Sequence, residues 1–129
     1  MNVVDSSAWL EYFGDGPNAS DFAKAIENSK EKVVPTLAIY EVFKKTVLLR
    51  GEAAGLEAVA LMMQGRVVDA SATIAIEAAR LSVAHRLPLA DSFILATARA
   101  HKAILWTQDH HFEGLPDVRY RERCAQSHR

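Results

Sequence analysis

The chain has 129 residues, a mass of 14.2 kDa and a hydrophobic content of 50%, enough to bury a core without staples and too apolar for disorder. Its 15 Lys and Arg nearly balance its 16 Asp and Glu, which argues against a dedicated electrostatic nucleic-acid binder. The lone Cys124 excludes an internal disulfide, no basic-then-apolar leader opens the sequence, and Glu57, Arg66 and Glu77 interrupt its most apolar part, so one soluble cytoplasmic domain over residues 1–129 is expected.

Taken in chain order, short β-type runs alternate with helical ones. Val3-Val4 opens as a strand, and a helix over about Ser7 to Tyr12 ends at Gly14-Asp15-Gly16-Pro17. A second helix is expected from about Asn18 to Ser29, then a strand at Lys32-Val33-Val34. Pro35 and Thr36 start the next helix, with Thr able to cap, and Gly51 stops it after Arg50. Glu52 to Gln64 is helical up to Gly65, and Arg66-Val67-Val68 is a strand. Asp69 or Ser71 caps the following helix, with Asp69 fully accounted for in that role. Ile74, Ala75, Ala78 and Leu81 form its apolar stripe. Pro88 precedes the helix that carries Asp91. Ala103 to Trp106 is a buried strand, and Val118 to Tyr120 is a candidate for the last. Such alternation is the pattern of an α/β domain with a mostly parallel sheet.

Four acids lie inside apolar runs on separate elements: Asp5, Glu41, Asp91 and Asp109. A charge drawn toward a low-dielectric interior is costly unless it is paired, neutralised or metal-bound. Asp5 and Asp109 follow predicted parallel strands, where open α/β sheets keep their ligand crevice. Asp91 sits in a first helical turn on an apolar stripe, and Glu41 can project from its helix edge toward the same place. Each has an ordinary explanation alone: caps for Asp5 and Asp109, a dipole partner for Asp91, an i,i+4 pair with Lys45 for Glu41. Together they point to an all-oxygen crevice for Mg²⁺ or Mn²⁺, ions that leave positions open for phosphate oxygens. Such a site suits hydrolysis of a phosphodiester, and at least one of its carboxyls should have a raised pKa.

Ser6 and Thr107 are candidate hydroxyl donors to these acids. His110 and His111 lack a zinc-ligand spacing with Cys124 or His85 and suit surface or phosphate contacts. Positive residues gather at Lys44, Lys45 and Arg50 and at Arg119, Arg121, Arg123 and Arg129, where a polyanion could find footing. Leu10, Tyr12, Phe13, Tyr40, Phe43 and Val47 exceed what the core faces of the first and third helices need, so some should line a groove.

The segments Val3-Val4-Asp5-Ser6-Ser7-Ala8, Tyr40-Glu41-Val42, Leu89-Ala90-Asp91-Ser92-Phe93-Ile94-Leu95-Ala96 and Leu105-Trp106-Thr107-Gln108-Asp109-His110-His111-Phe112 resemble, in order, spacing and chain length, the PIN-domain ribonucleases. Within them they resemble the VapC-type toxins of toxin–antitoxin pairs. The resemblance implies a three-layer α/β/α fold with a five-stranded parallel sheet and a Mg²⁺ or Mn²⁺ site at Asp5, Glu41, Asp91 and Asp109, with Thr107 assisting. It further implies RNA cleavage, a homodimer and a VapB-type antitoxin that blocks the crevice. Gln108 stands where a basic residue or Asn is often seen.

Two other classes fit less well. A phosphoacceptor signalling domain would use Asp69, yet it needs an acidic pair after the first strand and a Lys after the last, and neither is present. An Asp-nucleophile phosphatase needs an acid at the position of Ser7. A non-catalytic module that holds a metal or a partner's Arg remains an alternative.

Overall fold

A computed structural model of the chain describes residues 1–124; Arg129, one of the expected basic residues, lies outside them. The chain runs β1 (Asn2–Val4), α1 (Ser6–Phe13), α2 (Ala19–Glu27), β2 (Lys32–Pro35), α3 (Thr36–Arg50), α4 (Glu52–Met62), β3 (Arg66–Val68), α5 (Ala72–His85), α6 (Leu89–Ala100), β4 (Ile104–Thr107) and β5 (Val118–Tyr120). Single 3₁₀ turns cover Ser29–Glu31 and His110–Phe112.

The strands form one parallel sheet in the order β3-β2-β1-β4-β5. In β1, Val3 pairs with Val33 on one side and with Leu105 on the other. Val3, Val4, Val33, Val34 and Leu105 are all buried, as expected of parallel strands covered by helices on both faces in an α/β/α arrangement. α6 packs over β1, β2 and β4, while α1 touches β4 and α2 touches β1. Trp9, Phe22, Met62, Ile94, Leu95 and Phe112 fill the spaces between sheet and helices.

Local chemistry sets the element ends. Ser71 caps α5, its Oγ accepting the N–H of Ile74 at 3.2 Å. Asp69, expected to cap this helix, lies exposed two residues ahead of Ser71. Ile74, Ala78 and Leu81 of the expected stripe are buried, and Ala75 is half-buried. α3 begins without a side-chain cap, because Pro35 precedes it and Thr36 is already its first helical residue. Gly51 ends α3 at φ +94°, a left-handed conformation that disfavours a Cβ, and α4 starts at the next residue. α4 stops at Met62, two residues short of the expected Gln64, and Met63–Gly65 turn into β3. No described helix is long and apolar enough to cross a membrane.

Candidate functional site

The order of the sheet brings β1 and β4 side by side, so Asp5 and Asp109 emerge at the same C-terminal edge. Asp5 joins β1 to α1. Its N–H donates to the carbonyl of Trp106 and its carbonyl accepts the N–H of Trp9, each at 3.0 Å, which fixes the backbone between strand and helix. The carboxylate Oδ1 accepts the Ala8 N–H at 2.9 Å and the Ser7 hydroxyl at 2.7 Å; Oδ2 accepts the Thr107 hydroxyl at 2.6 Å. Asp5 is therefore the cap of α1 and, at 1% exposure, a buried acid at the sheet edge that does not itself line the cleft. Burial pushes its pKa up to about 6 despite these three donors, and the charge of Asp109 adds to the rise.

Glu41 reaches the same edge from α3. Its Oε1 accepts the Ser6 hydroxyl at 2.6 Å across 35 residues of sequence. The i,i+4 pair with Lys45 is not formed; the Ser6 contact replaces it. Asp91 enters from the first turn of α6 and is 7% exposed. Burial raises its pKa to about 8, helped by a hydrogen bond shared with Asp109 and by the charges of Asp109, Asp5 and Glu41. The three other expected acids thus all act on Asp91, and the pKa values of Asp91 and Asp5 are both raised, first by burial.

Asp109 differs from its neighbours. It caps the 3₁₀ turn by accepting the His111 N–H at 3.0 Å. Burial works against its ionisation. The His111 N–H, the bond shared with Asp91 and the His111 ring outweigh that penalty and hold its pKa below the usual carboxylate value. His111 Nδ1 lies 2.8 Å from Asp109 Oδ1 and 3.4 Å from Asp91 Oδ2, so this ring is exposed as expected and also borders the acidic cluster. His110 is likewise outward and stacks on His111.

Among the described residues, one group of three potential ligands has its donor atoms within 4.8 Å of one another: Asp109, His110 and His111. The four acids are spread more widely around it. An oxygen-rich set with one histidine ring nearby suits a hard divalent cation, which would compensate carboxyls that no Lys or Arg among the described residues pairs with.

Two contributors, Ser7 and Glu11, were not singled out from the sequence, and a third, His111, was expected only in surface or phosphate contacts. Ser7 donates to Asp5 and accepts the N–H of Gln108 at 3.2 Å. His111 contacts two acids, and Glu11 accepts the Gln108 amide at 3.2 Å. In the run Asp5-Ser6-Ser7 either hydroxyl could serve a cap, and Glu11 resembles any solvent-facing helical acid, so local sequence could not mark them.

From the acids a cleft of about 650 Å³ extends between α1 and α3. Ser6, Glu41, Asp91 and Asp109 lie at one part of its wall. Leu10, Phe13, Tyr40, Leu48 and Leu49 supply apolar surface, and Lys44, Lys45, Arg50 and Arg123 supply positive charge. Of the apolar residues expected in a groove, Leu10, Phe13 and Tyr40 are there. Phe43 and Val47 instead pack against Gly55 of α4, and the Tyr12 hydroxyl bonds Glu27. The other expected cations are engaged elsewhere: Arg119 lies over Trp106, and Arg121 pairs with Asp21 at 3.1 Å.

The family model described as PIN domain matches residues 3–118. No curated protein matches the chain by sequence. Several solved structures share its fold. The chain is similar to the toxin–antitoxin complex from Klebsiella pneumoniae, with a TM-score of 0.80 and 21% identity over 96% of this chain and 100% of that one. It is similar also to VapC20 of Mycobacterium tuberculosis, described as a sarcin–ricin loop cleaving toxin, with a TM-score of 0.74 and 19% identity over 90% and 95% of the two chains. DNA-bound VapBC from Salmonella typhimurium aligns with a TM-score of 0.72 and 14% identity over 96% and 98%.

Proposed function

Since this chain belongs to the PIN domain family, we propose that it is a metal-dependent endoribonuclease and the toxin of a type II toxin–antitoxin pair. One observation carries this reading: acids from four separate elements meet at one sheet edge, with Glu41, Asp91 and Asp109 on one stretch of cleft wall and Asp5 tied to the Asp109 backbone through the Thr107 hydroxyl. Surface caps and helix dipole partners would not interact in this way.

Asp5, Glu41, Asp91 and Asp109 would hold Mg²⁺ or Mn²⁺. When bound, such an ion neutralises charge on a scissile phosphodiester and makes water a better nucleophile. The chain's own contribution is orientation. Thr107 and Ser7 fix both oxygens of Asp5, and Ser6 fixes Glu41. Asp91, whose pKa burial and its acidic neighbours raise to about 8, would hold the ion in its ionised form, so binding would be favoured as pH rises. Lys44, Lys45, Arg50 and Arg123 line the route by which RNA phosphates would approach.

The apolar part of the cleft, Leu10, Phe13, Tyr40, Leu48 and Leu49, suits a segment of a VapB-type antitoxin whose basic side chain could reach the acids. A homodimer belongs to the same proposal, with Ile76 and Val83 of α5, 56% and 85% exposed, as a candidate apolar face.

RNA incubated with the purified protein tests the central claim. Cleavage is expected with Mg²⁺ or Mn²⁺, none in chelator, and none by Asp91→Asn, which removes ligand charge at nearly constant volume. A wild type inert with both ions would favour the non-catalytic alternative, and a variant cutting at the wild-type rate would misassign the site. For the partner, co-expression with a protein encoded beside this one should give a complex on size exclusion. Sedimentation of the free chain reports the dimer.

A further inference from the structure

Gln108 stands between the two residues that bring β4 to the acids, Thr107 and Asp109, yet its side chain is 3% exposed and turns toward α1. Its Nε2 donates to Glu11 Oε1 at 3.2 Å, and its Oε1 accepts the Asn18 Nδ2–H at 3.0 Å. Glu11 uses its second oxygen, Oε2, to accept the Asn18 backbone N–H at 2.7 Å. Asn18, 2% exposed, also donates to the Glu122 carbonyl at 3.0 Å. Every polar atom of the Gln108 amide thus has a partner of fixed polarity, because a carboxylate can only accept. Gly16 makes the room: a Cβ there would fall 2.4 Å from the Glu11 carboxylate.

We infer that Gln108 and Glu11 are positioning residues for the metal-binding edge of the site. This rests on the nuclease reading above. Their bond fixes the backbone of the strand end, from which Thr107 Oγ1 donates to Asp5 Oδ2 at 2.6 Å and accepts the Asp109 N–H at 2.9 Å. Ser7 Oγ completes the link by accepting the Gln108 N–H at 3.2 Å while donating to Asp5 Oδ1. Neither Gln108 nor Glu11 need touch metal or RNA. They hold two acids from different elements at one separation, as outer partners of metal ligands do.

A charge swap tests this. Gln108→Glu sets a carboxylate against Glu11 in a buried place. The double variant Glu11→Gln with Gln108→Glu restores one amide and one carboxylate, with the donor on the other side. Mn²⁺ affinity by calorimetry, kcat and KM for RNA, and the melting temperature in chelator are measured for all three proteins. Gln108→Glu should weaken Mn²⁺ binding and lower kcat about 10- to 100-fold with KM little changed, and the double variant should recover most of both. Gln108→Glu with wild-type Mn²⁺ affinity and kcat would overturn the inference, as would a double variant that refolds to wild-type melting temperature without regaining them. If the wild type binds Mn²⁺ but cleaves no RNA, the nuclease reading falls; the Mn²⁺ affinities then still decide whether the Gln108–Glu11 bond sets the site. A wild type that neither binds nor cleaves overturns both.

Discussion

At the residue scale, the four acids are unequal. Asp5 is the most fully satisfied, with three donors, yet its burial still raises its pKa to about 6. Removing one donor should raise it further. Thr107→Val keeps the shape of the side chain and leaves Asp5 Oδ2 without its O–H partner, so a loss of about 1–3 kcal/mol of stability is expected, with weaker Mn²⁺ binding. Denaturant melts and a Mn²⁺ titration check it; a variant as stable as wild type would mean that the Thr107 hydroxyl contributes nothing to holding Asp5. Asp91 and Asp5 both bind protons more tightly folded than unfolded. Their contribution to stability is complete below their ordinary pKa of 3.8 and is lost as pH rises through about 6 for Asp5 and about 8 for Asp91. Asp109, with a lowered pKa, works in the opposite direction. In chelator the melting temperature should therefore fall between about pH 4 and about pH 8, with Asp91 alone responsible above about pH 6, and Asp91→Asn should flatten that upper part. A wild-type curve that is level over the interval would show that the acids do not interact as their geometry implies.

At the element scale, legibility followed from how local each signal is. The Gly51 stop and the stripe of α5 depend on neighbours within a few residues and fell where the sequence placed them, while the helix before Gly65 ended two residues early. Asp69 and Ser71 show the limit. Both are good caps, two residues apart, and only the direction of the chain leaving β3 decides that Ser71 meets the Ile74 N–H. Asp5, Glu41, Asp91 and Asp109 were legible because a carboxylate inside an apolar run is anomalous on its own. Glu11, Ser7 and His111 were not, because each looks ordinary until an element some 90 or more residues away, or a neighbouring helix, arrives beside it. Gln108, marked in the sequence only as standing where a basic residue or Asn is often seen, turned inward toward α1. Two substitutions check the local claims. Ser71→Ala should cost about 1 kcal/mol by loss of the cap while leaving RNA cleavage untouched. Gly51→Ala, at φ +94°, should cost about 1–3 kcal/mol, because it strains the tight junction of α3 and α4 on which one wall of the cleft depends. An unchanged melting temperature in either case would contradict the assigned role.

At the scale of the whole molecule, folding and ion binding are linked. Convergence of like charges at one edge opposes folding, and an ion bound only by the folded chain reverses this by RT ln(1 + [M]/Kd), about 2.7 kcal/mol at a hundredfold excess over Kd. Millimolar Mn²⁺ should raise the melting temperature of the wild type and shift Asp91→Asn much less; a wild type indifferent to Mn²⁺ would sink the metal site and the enzyme with it.

The strand order carries a consequence in time. β1 is the first element to be synthesised and lies at the centre of the sheet, but its neighbour β4 begins at Ile104. The Thr107 hydroxyl that orients Asp5 comes 102 residues after it. A nascent chain therefore contains Asp5 and Glu41 long before the fourth acid and the clasp between β1 and β4 exist. On the nuclease reading, a ribosome making this protein holds no competent enzyme against its own RNA until β4 and Asp109 have been made. A chain halted before β4, released and purified, should accordingly show neither the Mn²⁺ response nor cleavage.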